Sequence, residues 1–244
     1  MTDNKAPRGS VFAKLVIVFR GTGARISKEE RAQLDPRVHV VFQPKAWVDK
    51  PVMDVILHKV LKPFFKQARA EAHAAGVPGA HQQRFMITSD NLACQCSEHF
   101  KEQVHKIGGH SVNTPPGCTD LVQPVDAGLG YAVKRAMAEA LDLWLMDPDN
   151  QELWERKDDW SCSNRRVLLT KWAADAYEKV MASNNLWRYF ERCGILLTLD
   201  GSRDERITLE GMPSDMPYAV TGCSPARERS EGVSVWLPGR ATCR

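Results

Sequence analysis

Apolar and polar positions follow two different periods along this chain. Residues 14–19 (KLVIVF) form a short, β-branched apolar run closed by Gly21, Thr22 and Gly23, a pattern that predicts a buried strand followed by a turn. Residues 38–42 repeat it after Asp35 and Pro36 and predict a second strand. From Val52 to about His73 the period becomes helical, with Val55, Ile56, Val60, Leu61, Phe64 and Phe65 on one face. Pro63 is expected to kink this helix or divide it, and the turn residues Gly76, Pro78 and Gly79 end it.

Phe85, Met86 and Ile87 then run as a strand straight into a carboxylate, Asp90. A helix follows with Phe100, Val104 and Ile107 on one face, stopping at Gly108 and Gly109, and residues 110–113 fit another short strand. The segment from Thr114 to Gly117 leads to Gln123, Pro124, Val125 and Asp126 at the mouth of a long helix, expected from Ala127 to about Met146. Strands before and between helices favour a three-layer α/β sheet. Beyond Asp147 and Pro148 the pattern is wholly helical, with an apolar face of Leu168, Trp172, Ala176 and Val180 flanked by Val167 and Met181, and a last helix stopped by Gly194. After about Tyr218 the chain is rich in Gly, Pro, Ser and Arg without periodicity, which reads as a flexible tail.

With 244 residues, 43% of them hydrophobic, the chain is long enough for one sizeable core. Its 33 basic and 30 acidic side chains leave a formal charge of +3, which permits a nucleic-acid partner without demanding one. No apolar run approaches the roughly 20 residues that span a bilayer, and the N-terminus has no apolar stretch of a signal peptide. An intracellular protein without a membrane segment is expected. Seven scattered cysteines, an odd number, argue for reduced thiols over a disulfide framework. Cys94, Cys96 and His99 hint at a metal site but lack a second ligand pair at a zinc spacing.

The two aspartates carry the chemistry. Asp90 ends a predicted strand and Asp126 opens a predicted helix, positions at a sheet edge where several elements converge. Phosphodiester cleavage or transfer needs hard cations on oxygen ligands, commonly two ions about 3.5–4 Å apart sharing carboxylates. Taken singly, each Asp has a structural use: a turn residue after a strand, or an N-cap before a helix.

Three motifs in order point to a family. Ile87, Thr88, Ser89, Asp90 and Asn91, then residues 113–119 (NTPPGCT), then residues 121–126 (LVQPVD), resemble the progression of the DDE superfamily endonuclease domain in pogo and Tigger transposases and centromere-protein-B-like proteins. The separation of Asp90 and Asp126 is similar to that between the second and third acidic residues of mariner and pogo enzymes. Residues 18–23 and 41–48 resemble upstream segments of the family, and Arg165 to Trp172 with residues 190–194 resemble its helical region, so the likeness spans about residues 16–218. The resemblance implies an α/β, RNase H-like mixed sheet flanked by helices, with a helical C-terminal extension. It implies that Asp90 and Asp126 are metal ligands and catalytic carboxylates, that Mg²⁺ or Mn²⁺ is the cofactor, that DNA is the partner, that the location is nuclear, and that a homodimer is an option. Gln123 and Pro124 resemble family motif residues that shape the loop before Asp126, and they receive no chemical role.

The chain departs from the family where the first catalytic Asp should stand, on a strand upstream of Lys14. Asp3 is the one carboxylate there, in a polar terminus, so the first strand and one metal ligand are expected to be missing. The expected organisation is a disordered N-terminus over 1–13, an incomplete catalytic domain over 14–150, a helical extension over 151–218 and a tail over 219–244. Lys134 and Arg135 follow Asp126, and Arg165, Arg166 and Lys171 cluster on a later helix. These five are candidate phosphate contacts, against the alternative of a solvated helix face. The tryptophans fit core packing better than base stacking. A transposase-derived endonuclease is the first reading, and a non-catalytic nucleic-acid-binding or interaction remnant the second. A P-loop or Rossmann enzyme is set aside because Gly21 and Gly23 lack the further Gly and Lys-Ser/Thr that cradle phosphates.

Overall fold

The computed structural model describes residues 12–156, 160–183, 186–198 and 200–208. Asp3 and the expected tail over 219–244 lie outside the described residues. In chain order the elements are β1 (Val16–Arg20), α1 (Lys28–Gln33), β2 (His39–Gln43), α2 (Lys50–Val55), α3 (Lys62–Ala74), β3 (Phe85–Ser89), α4 (Ala93–Cys96) and α5 (Glu98–Lys106). They continue with β4 (Gly109–Asn113), α6 (Thr119–Val122), α7 (Gly130–Leu145), α8 (Pro148–Glu155), α9 (Cys162–Met181) and α10 (Leu186–Arg192). Wide π-helical turns occupy Ile56–Leu61 and Val125–Leu129. The described residues fall into two compact units, one of residues 12–64 and 130–183, the other of 65–129 and 186 onward. No helix among them is long and apolar enough to cross a membrane.

In the first unit β1 and β2 pair in parallel, from Val16 opposite His39 to Arg20 opposite Gln43. A parallel pair needs a crossover, and α1 supplies it, capped by Ser27, whose Oγ accepts from the Glu30 N–H at 3.1 Å. Asp49 caps α2 in the same way, accepting from the Val52 N–H at 3.1 Å. The π-helical turn that follows lies just before Pro63, and the Lys62 N–H reaches back to Leu57 O, five residues away. Pro63 therefore sits inside a continuous helical stretch, directly after the wide turn that accommodates its ring and missing N–H. The buried residues of this unit include Val38, Val52, Met53, Leu57 and Val60, and Trp172, Ala173, Ala176 and Val180 of α9, which packs on α7 and α1. Trp144, Trp154, Trp160 and Trp172 form one aromatic cluster, with Trp144 and Trp160 stacked at 5.0 Å.

In the second unit β3 and β4 pair in parallel, from Phe85 opposite Gly109 to Ser89 opposite Asn113. Their crossover runs through α4 and α5, which buries Phe100 and Val104 and begins at Ser97, whose Oγ accepts from the Phe100 N–H at 3.2 Å. Arg69 of α3 donates to Gln83 O at 3.0 Å and to Gly108 O at 3.1 Å, holding the entries of both strands. At the C-terminal end the buried Glu191 of α10 binds Arg203 at 2.9 Å and Arg206 at 3.1 Å.

Where the sequence led to an expectation of one sheet, the four strands form two parallel pairs, one in each unit. An apolar five-residue run records burial but not which strand lies beside it. The helix expected from Ala127 begins at Gly130, because Ala127 and Gly128 leave helical geometry, Gly128 with φ +126°, and it ends at Leu145.

Candidate active site

Asp90 stands one residue past the end of β3. The ladder closes with Thr114 N–H donating to Ser89 O at 2.9 Å, and two side-chain amides continue it. Asn113 Nδ2 donates to Asp90 O at 2.9 Å and lies 3.2 Å from Ser89 Oγ, while Asn91 Nδ2 donates to Thr114 O at 2.9 Å. The Asp90 carboxylate uses Oδ1 to accept the Leu92 N–H at 3.1 Å, an Asx turn that steers the chain into α4. Ser89 and Thr114 are buried and Asp90 is half-buried, so the strand end is fixed while the carboxylate keeps access to solvent.

Asp126 lies in the same unit, inside the turn Val125–Leu129, and its side chain is exposed. The Ala127 N–H bonds Gln123 O at 2.8 Å and the Leu129 N–H bonds Pro124 O at 3.2 Å, so the turn is wound wide. Pro124 and Leu129 are buried beneath it, and α10 packs against it. A Cβ on Gly128 would sit 3.0 Å from Cε1 of Tyr189, which shows how closely that ring lies on the turn. Asp126 thus belongs to a turn of its own and not to the first turn of a long helix. The Oε1 of Gln123 and the Oγ1 of Thr114 are buried without a hydrogen-bond partner among the described residues.

The family model of the DDE superfamily endonuclease matches residues 7–190 of the 244. The chain belongs to the DDE superfamily endonuclease family. No curated protein and no solved structure matches it significantly. The matched residues include both aspartates and both strand pairs, and the mixed α/β arrangement with small parallel sheets is consistent with a DDE nuclease domain.

DDE enzymes work with divalent metals, and the donors here fit such an ion in kind. Asp90 and Asp126 offer hard carboxylate oxygens, and Mg²⁺ is commonly held by one or two carboxylates while keeping several waters. No group of three or more His, Cys, Asp or Glu side chains able to hold a metal occurs among the described residues. Cys94 is half-buried and Cys96 is exposed, its Sγ 3.6 Å from Asn113 Nδ2.

The five basic candidates separate by what they touch. Lys134 and Arg135 are exposed on α7, Arg135 pairing with Glu139 at 3.2 Å one turn on. Lys171 is exposed on α9, beside a cavity of about 410 Å³ also lined by Asp35, Trp144 and Trp160. Arg165 lays its guanidinium over Trp154 at 5.1 Å and Trp160 at 5.8 Å. Arg166 binds the buried Glu30 of α1, Nε to Oε1, at 2.7 Å. That guanidinium holds the Glu30 carboxyl below its ordinary value. Arg165 and Arg166 therefore have packing roles that their spacing did not reveal. The amides of Asn91 and Asn113 were also visible in the motifs, but nothing in the sequence showed that they cross-link two strand ends.

Proposed function

We propose that this DDE domain is of the pogo/Tigger type, built on an RNase H-like plan. In this reading it binds DNA in the nucleus and acts on phosphodiesters with Mg²⁺ or Mn²⁺ held by Asp90 and Asp126. The observation that carries the reading is the placement of Asp90, inside the family match, at the C-terminal end of a strand whose backbone is tied on both sides. The reading takes residues 14–150 as the catalytic part and 151–218 as its helical extension.

Each residue then has a definite task. The fixed backbone of Asp90 limits its carboxylate to side-chain rotation, and exposed Asp126 supplies a second carboxylate from the turn over α10. A divalent cation bound there supplies charge that polarises the phosphate and favours ionised water. A water or a DNA 3′-hydroxyl attacks the phosphorus, and the bond to the displaced deoxyribose oxygen breaks. Lys134, Arg135 and Lys171, all exposed, are the cations this reading assigns to phosphates.

One observation favours a second reading, a non-catalytic DNA-binding module: Asp90 Oδ1 already accepts the Leu92 N–H, the structural use of an aspartate after a strand. Nicking of supercoiled plasmid in Mg²⁺ or Mn²⁺ separates the two. Loss of nicking in both Asp90→Ala and Asp126→Ala supports the enzyme. DNA binding without nicking in the parent chain, unaltered in both variants, supports the module and ends the catalytic reading.

A further inference from the structure

We infer that Asn113 and Asn91 are positioning residues for Asp90, a reciprocal amide clamp that presents its carboxylate to a divalent cation. The inference rests on the proposal that Asp90 is a metal ligand. The β3–β4 register ends at Ser89 opposite Asn113, and beyond it the backbone ladder has one more bond, Thr114 N–H to Ser89 O. Side chains continue it in both directions. Asn113 donates across to Asp90 O and Asn91 donates back to Thr114 O, each at 2.9 Å. Three consecutive residues, 89, 90 and 91, are thus each bonded to 113 or 114.

The chemistry of the amide suits this task and that of a carboxylate does not. An NH₂ group carries two donor hydrogens, and the acceptors around Asn113 Nδ2 are Asp90 O and Ser89 Oγ, with Cys96 Sγ at 3.6 Å. Ser89 is 4% exposed, so this end of the clamp is shielded from competing water. With the peptide on each side of its Cα held and Oδ1 pinned by Leu92 N–H, the Asp90 side chain has little freedom left. A ligand fixed before the ion arrives loses less rotational freedom on binding, which is how outer groups raise metal affinity.

The test is titration of Mn²⁺ into the full chain, followed by electron paramagnetic resonance of free Mn²⁺, with thermal melting alongside. The variants are Asp90→Ala, Asn113→Asp, Asn91→Ala and Asn150→Ala. Asn113→Asp keeps the shape but turns a donor into an acceptor facing two oxygens. Asn150→Ala is the control, since Asn150 Nδ2 makes the same kind of bond, to Trp144 O at 3.0 Å, in the other unit. The expected result is Mn²⁺ binding lost in Asp90→Ala and weakened about tenfold or more in Asn113→Asp and Asn91→Ala, the scale of outer-group effects on metal affinity. Asn150→Ala should lower the melting temperature and leave Mn²⁺ affinity unchanged. Parent-like affinity in the folded clamp variants, with binding still lost in Asp90→Ala, overturns the clamp and leaves the metal site standing. Equal binding, or none, in the parent and Asp90→Ala overturns the metal site and the clamp with it. If Asn113→Asp does not fold, Asn91→Ala decides the question from the other arm.

Discussion

Replacing Arg166 by alanine should destabilise the first unit without changing how the chain meets phosphates. Arg166 Nε lies 2.7 Å from Glu30 Oε1, with side-chain exposures of 24% and 8%. Breaking a fully buried pair costs about 3–5 kcal/mol, because one charge stays behind without its partner. Arg166 retains contact with solvent and Ser163 also bonds Glu30, so the expected loss is nearer 2–3 kcal/mol. Urea denaturation of Arg166→Ala, Glu30→Gln and the double variant measures it, with a coupling of about 1.5–3 kcal/mol expected for a hydrogen bond between charged groups. The pH dependence follows from the lowered Glu30 carboxyl. Its contribution is complete above the ordinary value of 4.5 and is lost as pH falls through the lower folded value. A phosphate contact predicts something else: weaker DNA binding, and a salt dependence of log K shallower by about 1. Unchanged stability together with that shallower salt slope would refute the structural role.

Three further substitutions probe the packing. Gly109→Ala should cost about 2 kcal/mol or more in urea denaturation, because its Cβ would lie 2.3 Å from the Phe85 ring on the paired strand. Leu57→Ala, at a side chain with no exposed surface, should cost about 2–5 kcal/mol through the cavity it leaves, read as a lowered melting temperature. Gly128→Ala forces a side chain into φ +126° and against Tyr189, so it should displace the turn of Asp126. Mn²⁺ affinity reduced in step with Asp126→Ala is the expected readout, and parent-like affinity would separate the turn from the site.

The elements were legible where burial and period agree. The strands ending at Arg20, Gln43, Ser89 and Asn113 and the long α9 lie where short apolar runs and four-residue spacing place them. The pairing of strands was not legible, since hydrophobic period fixes which face is buried and leaves the neighbour open. The wide turn before Pro63 was half legible: the ring announces a break, and only the Lys62-to-Leu57 bond shows that the chain absorbs it by winding wider. The partners of Arg165 and Arg166 come from α1 and the tryptophan cluster, distant in sequence, so a basic pair on a helix looked free until the fold supplied its acid and its rings.

The two aspartates show why motif and position are different kinds of knowledge. Family spacing singles out Asp90 and Asp126, yet each is placed by residues whose chemistry the motif does not explain. At Asp90 it is the polarity of two amides, since a carboxylate at position 113 has nearly the same outline and the opposite hydrogen-bonding sense. At Asp126 it is backbone freedom, since Gly128 at φ +126° turns what reads as a helix start into a separate turn. A side chain without these two properties would leave both carboxylates in the sequence and move them in space. If Asp90 and Asp126 hold the metal as proposed, its binding should therefore depend on Asn113 and Gly128 as well as on the acids they present, and variation at those two positions is where the catalytic and the binding-only readings should part.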